Sequence, residues 1–277
     1  MNLKALRDIP PWDWPEGTDE ALLGVLRDRE ATESDRLVAT ELAGDFTVIN
    51  DDLVDALLSV LRSGDASEEV RARAAISLGP VLEHADTNGF DDPDDVPIAE
   101  RTFHEIQDSL HKLYVDAGVP KEVRRRILEA SVRAPQDWHQ GAVRAAYSGN
   151  DEAWKLTAVF CMGFIRGFEE QILEALESRD PDIRYEAVQA AGNWGVDAAW
   201  PHIVDLVTSG DIDKPLLLAA IEAVSAIRPG EAAEVLADLL DSDDEDIVEA
   251  VHEALAMAEG FADEEDFDDD EDDEDEE

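Results

Sequence analysis

The chain has 277 residues, 44% of them apolar, and 69 acidic against 22 basic side chains give it a formal net charge of −47 at pH 7. Leucine and alanine dominate the apolar set and β-branched runs are few, which excludes a sheet protein and predicts an all-α one with enough apolar surface for a packed core. One cysteine, Cys161, excludes a disulfide framework and a multi-cysteine metal site and fits a reducing compartment.

The charge is uneven. Residues 263–277 hold 14 acidic side chains around Phe267, which leaves the other 262 residues near −33. Five lysines stand beside seventeen arginines, and an acidic, lysine-poor surface suits a protein kept soluble in high salt, where self-repulsion is screened. Met1–Asp8 lacks the apolar stretch of a secretory leader, and no run of 18 apolar residues occurs. A cytoplasmic protein with no membrane partner is expected.

Residues 1–17 contain Pro10, Pro11 and Pro15 around Trp12 and Trp14. The prolines forbid a continuous helix and the two indoles seek an apolar surface, so the segment is expected to cap the body that follows. From Thr18 the pattern is one of helix pairs. Leu22–Leu26 precedes Asp35–Gly44, and Leu53–Leu61 precedes Val70–Gly79, each second helix closing on a glycine. His84–Pro97 packs Asp86, Asn88, Gly89, Asp91, Asp92, Pro93, Asp94 and Asp95 together and predicts an acidic loop insertion over residues 84–97. It lacks the alternating acids and mid-loop glycine of a calcium-binding hand.

Later pairs run from Ile98 to Val132, Trp138 to Gly163, a fifth ending in Pro181–Gly195, Trp200 to Ser225, and Ala232 to Ala256. Pro181 suits a first helical turn, and Ile183, Ala187, Ala190, Ala191 and Trp194 share one face. Aligning the second helices on this copy puts equivalent positions at 35, 70, 123, 154, 183, 216 and 247, with steps of 35, 53, 31, 29, 33 and 31. The long step contains the loop. Four places on stand Ala39, Ala74, Ile127, Ala158, Ala187, Ala220 and Val251, and nine places on stand Gly44, Gly79, Val132, Gly163, Gly192, Ser225 and Ala256. Small side chains at such positions let helices approach closely. One helix of this kind cannot bury its face alone, so the copies predict a right-handed α-solenoid of about seven helix pairs over residues 18–260, one continuous body whose second helices line a concave surface. The residues from 261 to 277 are expected to form a disordered acidic tail.

On this metre the chain resembles the HEAT-repeat family, in its short HEAT-like form with units near thirty residues. The resemblance implies a basic residue after each aligned position, tied to an acidic residue of an adjacent unit as a structural ladder: here Arg36, Arg71, Arg124, Lys155 and Arg184. Leu217 and Val248 interrupt it. The family also includes deoxyhypusine hydroxylase, whose di-iron ligands are His-Glu dyads two and three places after the aligned position. None of those places here is His-Glu. His104-Glu105 and His252-Glu253 lie elsewhere, and His252 is expected to pack between helices.

Other candidate chemistry is sparse. His104, Asp108 and His111 share one sector of the third pair's first helix and could hold a divalent ion, but they flank the apolar set Phe103, Ile106, Leu110 and Leu113 and are expected to be solvated without orienting partners. Lys121, Arg124, Arg125, Arg126 and Arg133 are the densest basic cluster, yet a body near −33 repels a polyanion, so nucleic acid is not an expected partner. Cys161 between Phe160 and Met162 reads as core. No phosphate loop, nucleophile elbow or zinc-protease signature appears, so no catalytic residue, metal or cofactor is expected. The reading is a non-catalytic scaffold or adaptor for a protein or peptide partner, with Arg124, Arg125, Trp154, Lys155 and Tyr185 as candidate contacts. A HEAT-like enzyme, hydroxylase-like or bilin-lyase-like, is the first alternative and a nucleic-acid binder the second.

Overall fold

The computed structural model describes the backbone of residues 1–92, 95–209 and 212–268, with side chains through residue 260. Among these residues every regular element is helical. Two compact units form, Met1–Ala142 and a second from Val143 onward.

In the first unit the short α1 (Leu3–Leu6) lies against α3 (Glu33–Leu42), which pairs with α2 (Thr18–Arg27). The pair α4 (Asp51–Arg62) and α5 (Glu68–Ser77) follows, then α6 (Gly79–Asn88), then the pair α7 (Glu100–Val115) and α8 (Lys121–Ser131). The second helices α3, α5 and α8 lie side by side in one layer, and α2, α4 and α7 form the other. Leu53, Leu57, Leu61, Ile106, Leu110, Ile127 and Leu128 are wholly buried between the layers. Each such side chain contributes about 1.5–3 kcal/mol, which makes this sandwich the main source of the unit's stability.

The pairing follows from how the second helices begin. Thr32 and Ser67 accept hydrogen bonds from the backbone N–H of Asp35 and Val70, satisfying first-turn donors that would otherwise lack partners. Gly44 follows from the layer contact: a Cβ there would lie 2.4 Å from the carbonyl oxygen of Ser77, so α3 and α5 approach as closely as they do only over a bare backbone.

Two expectations change in this unit. Trp14 is half-buried and donates its indole N–H to the carbonyls of Leu6 and Ile9 at 3.1 and 3.0 Å, whereas Trp12 is 78% exposed. A 3-10 turn over Pro11–Asp13 separates the rings, so Leu3, Leu6 and Trp14 do the covering. The expected loop from His84 is helical as far as Asn88. Pro80 fits its first turn, Val81, Leu82 and Ala85 are buried, and Gly89 ends it at φ +69°.

α9 (Asp137–Tyr147) spans the boundary between the units, and α10 (Glu152–Met162) lies within the second. Three pairs follow: α11 (Glu169–Leu176) with α12 (Pro181–Asn193), α13 (Trp200–Thr208) with α14 (Lys214–Ile227), and α15 (Pro229–Leu236) with α16 (Glu245–Asp268). α10, α12, α14 and α16 pack in succession as one layer. Asp151, Asp180 and Asp213 cap α10, α12 and α14. α16 runs to Asp268, so the tail expected from residue 261 overlaps its last turns, and residues 269–277 lie outside the described residues.

Candidate functional site

The basic residues expected to form a ladder do not share one kind of contact among the described residues. Arg71 donates its Nε–H to the carbonyl of Leu61 at 2.9 Å, at the C-terminal end of α4 in its own pair. Carbonyls there lack helical partners and carry the negative end of the helix dipole, so a guanidinium is stabilised beside them. Arg36, Arg124 and Arg184 stand ten residues after Leu26, Tyr114 and Glu174 near the ends of α2, α7 and α11, the spacing Arg71 keeps from Leu61. Their buried Nε atoms have no hydrogen-bond partner, and among the described residues none of the three makes an ion pair. Among the described residues only Lys155 forms the expected kind of rung, at 3.6 Å from Glu174 of α11, with its ammonium 4.6 Å from the centre of the Tyr147 ring. Burial first, and Glu174 after it, push the Tyr147 phenol up to about 12.

Two of the three arginines in the α8 cluster, Arg125 and Arg126, are paired within their own helix. Arg125 is buried and donates to Glu122, with Glu129 at 3.8 Å, while Arg126 lies 3.1 Å from Glu122 and 2.7 Å from Glu129. The hydrogen bond from Arg125, reinforced by Arg126, holds the Glu122 carboxyl below the usual carboxylate range. Arg133 pairs with Glu83. Arg125, expected as a partner contact, is 7% exposed and held by Glu122, which leaves little of it open at the surface.

His104, Asp108 and His111 are all exposed on α7. His104 lies 3.8 Å from Glu100, and His111 stacks on Trp138 with ring centres 4.9 Å apart and planes 9° from parallel. Among the described residues no three or more His, Cys, Asp or Glu side chains converge as a metal site. The histidine that does matter to packing is His139, fully buried and unmarked by any motif. The Gln136 backbone N–H donates to its Nδ1 at 2.9 Å, so the proton sits on Nε2 and is donated to Ser131 Oγ at 2.9 Å. Burial lowers its pKa to about 4, with a smaller contribution from His111. Cys161 is wholly buried, and His252 is exposed rather than packed between helices.

The second unit carries an open groove of about 700 Å³ across α12, α14 and α16. Tyr185 supplies one wall, Leu218 and Ala219 the floor, and Ala250, Ala254 and Met257 the far side. Met257 is 44% exposed, one of few large apolar side chains so placed. A second hollow of about 370 Å³ adjoins it, sharing Gln189, Glu222 and Met257. Of the expected contacts only Tyr185 lines this groove, its hydroxyl accepting from Gln189 Nε2 at 3.1 Å. Trp154 and Lys155 lie on α10, and Arg124 and Arg125 belong to the first unit. The α16 stripe was present in the sequence as Asp246, Glu249, Ala250, Glu253, Ala254 and Met257, spaced for one helical face.

Residues 169–256 match the family described as HEAT repeats. No curated protein matches the chain. Among solved structures, an engineered protein is 19% identical, covering 92% of this chain and 70% of that one at a TM-score of 0.46. Human deoxyhypusine hydroxylase, solved with glycerol, is 18% identical, covering 93% of this chain and 88% of that one at a TM-score of 0.41.

Proposed function

Taking the chain as a HEAT-repeat protein, we propose that it is a non-catalytic scaffold in the cytoplasm that holds a protein or peptide partner along α12, α14 and α16. The carrying observation is the groove itself: three adjacent helices of one layer leave Tyr185, Leu218 and Met257 lining an open trough prolonged by the adjoining hollow. Repeat layers bind extended partners on surfaces of this kind, with side chains that vary between copies selecting the partner. Nucleic acid gains no support, because Arg125, Arg126 and Arg133 are spent on Glu122, Glu129 and Glu83. Among the described residues no helix is long and apolar enough to cross a membrane.

A photo-crosslinking residue in place of Leu218, compared in native extract with one in place of the exposed Glu170 on α11, tests this reading. Leu218 should yield a discrete crosslinked protein and Glu170 should not. Crosslinks at Glu170 with none at Leu218 would move the interface off the groove.

A further inference from the structure

We infer that the groove on α12, α14 and α16 takes a basic amphipathic segment, a helical stretch with lysine or arginine one turn apart beside an apolar stripe. This rests on the scaffold reading and adds the chemistry of the occupant. Four carboxylates line the groove, those of Glu222, Asp246, Glu249 and Glu253, against the single ammonium of Lys214. That ammonium is already taken, 2.7 Å from Asp244 and 2.5 Å from Asp246. Glu222, Glu249 and Glu253 are exposed, and among the described residues they form no ion pair.

Glu249 and Glu253 are four residues apart on α16, so they repel one another on one face of their own helix. Two cations one turn apart on a partner helix, about 6 Å along its axis, match that spacing. Acidic side chains cover much of this protein, so the rim alone selects nothing. What distinguishes the site is the apolar lining beside the carboxylates, with Leu218 and Ala219 as its floor and Ala254 and Met257 on the far side. A polycation without apolar side chains leaves that floor wet, and a neutral apolar helix leaves the carboxylates facing low-dielectric surface. The adjoining hollow continues the trough toward Gly192 and Gly195.

The test measures fluorescence anisotropy of a labelled helical peptide of leucine, alanine and lysine, with lysines one turn apart, on the full chain. A peptide with glutamine for lysine serves as comparison. Three proteins are compared: the parent, Glu249→Gln/Glu253→Gln, and Glu169→Gln/Glu170→Gln, which makes the same charge change on α11. The inference expects the α16 variant to bind at least about tenfold more weakly and the α11 variant to stay within about twofold of the parent. Leu218→Asp should also abolish binding. Equal losses in both variants would reduce the effect to overall charge and overturn the inference. So would unchanged binding in the α16 variant, as expected if the peptide sits on the acidic stretch 263–277 that all three proteins share. Equal binding of the glutamine peptide would overturn it as well. If the lysine peptide fails while Leu218 still crosslinks a partner in extract, the basic occupant is wrong and the scaffold reading stands. If both fail, both fall.

Discussion

His139 shows how a single buried side chain sets a property of the folded state. Its ring is neutral, with Nδ1 accepting from Gln136 and Nε2 donating to Ser131, and no carboxylate is among these partners to stabilise a charged form. The folded pKa near 4 lies below the ordinary value of 6.5. Above pH 6.5 the ring is neutral in both folded and unfolded chains and contributes no pH dependence. As pH falls from 6.5 toward 4, the unfolded chain takes up a proton that the folded chain refuses, and stability declines by about 3 kcal/mol before levelling off. Urea unfolding at about pH 7 and pH 5 should therefore show a parent protein that loses about 2 kcal/mol more than His139→Gln over the same interval. Parallel losses would mean that the ring is protonated inside the fold. Trp138, with its ring centre 3.8 Å from that of His139, supplies a local fluorescence signal. Nothing in the sequence distinguished His139 from the exposed His104 or His111, because what lowers its pKa is burial, which arises only once the helices pack.

At the scale of the helix, close approach governs the repeat. A side chain on Gly44 would meet the Ser77 carbonyl at 2.4 Å and the Ser77 Cβ at 2.8 Å, and backbone cannot swing aside as a flexible side chain can. Gly44→Val should cost about 3 kcal/mol or more of unfolding free energy. Gly24, inside α2, has nothing within 4 Å of its added Cβ, so Gly24→Ala should stabilise by up to about 1 kcal/mol. Denaturation of the two variants checks the pair, and a tolerated valine at 44 would mean that α3 and α5 can separate. The glycines and the thirty-residue metre were legible in the sequence because both are local. The structure gives the metre a cause: positions 35, 70, 154, 183 and 216 each lie three residues after a capping Thr, Ser or Asp, whose side chain accepts the N–H of that residue in every one of the five helices. The basic residue one place later was visible too, but its role was not. Arg71 turns back to Leu61, and that pairing depends on where the preceding helix ends. α6 was hidden because its second half, His84–Asn88, is mostly polar and runs into the glycine- and aspartate-rich stretch after it, which outweighed the buried stripe of Val81, Leu82 and Ala85. The groove was hidden for another reason, since its walls come from three helices about thirty residues apart.

At the scale of the whole molecule, the net charge of −47 acts in two opposite directions that salt can separate. Like charges spread over the surface repel one another and favour expansion, and the ion pairs that offset them are few and mostly exposed. Arg27–Asp52 and Arg228–Asp197 are examples, and pairs so exposed to solvent add little to stability. Raising ionic strength from about 0.1 to 1 M shortens the screening length from about 10 to 3 Å, which weakens both the repulsions and the exposed pairs. The repulsions outnumber the pairs, so the urea midpoint should rise across this range. Potassium chloride is the salt to use, because sulfate stabilises folded proteins by exclusion whatever their charge. A midpoint that stays level or falls would mean that the exposed pairs, not the excess of acid, dominate the balance. The groove should respond the other way, since its attraction for a lysine-bearing helix is screened by the same ions while its apolar floor is not. Affinity for the basic peptide should therefore fall with salt to a residual set by Leu218, Ala254 and Met257, over the interval in which the fold itself gains stability.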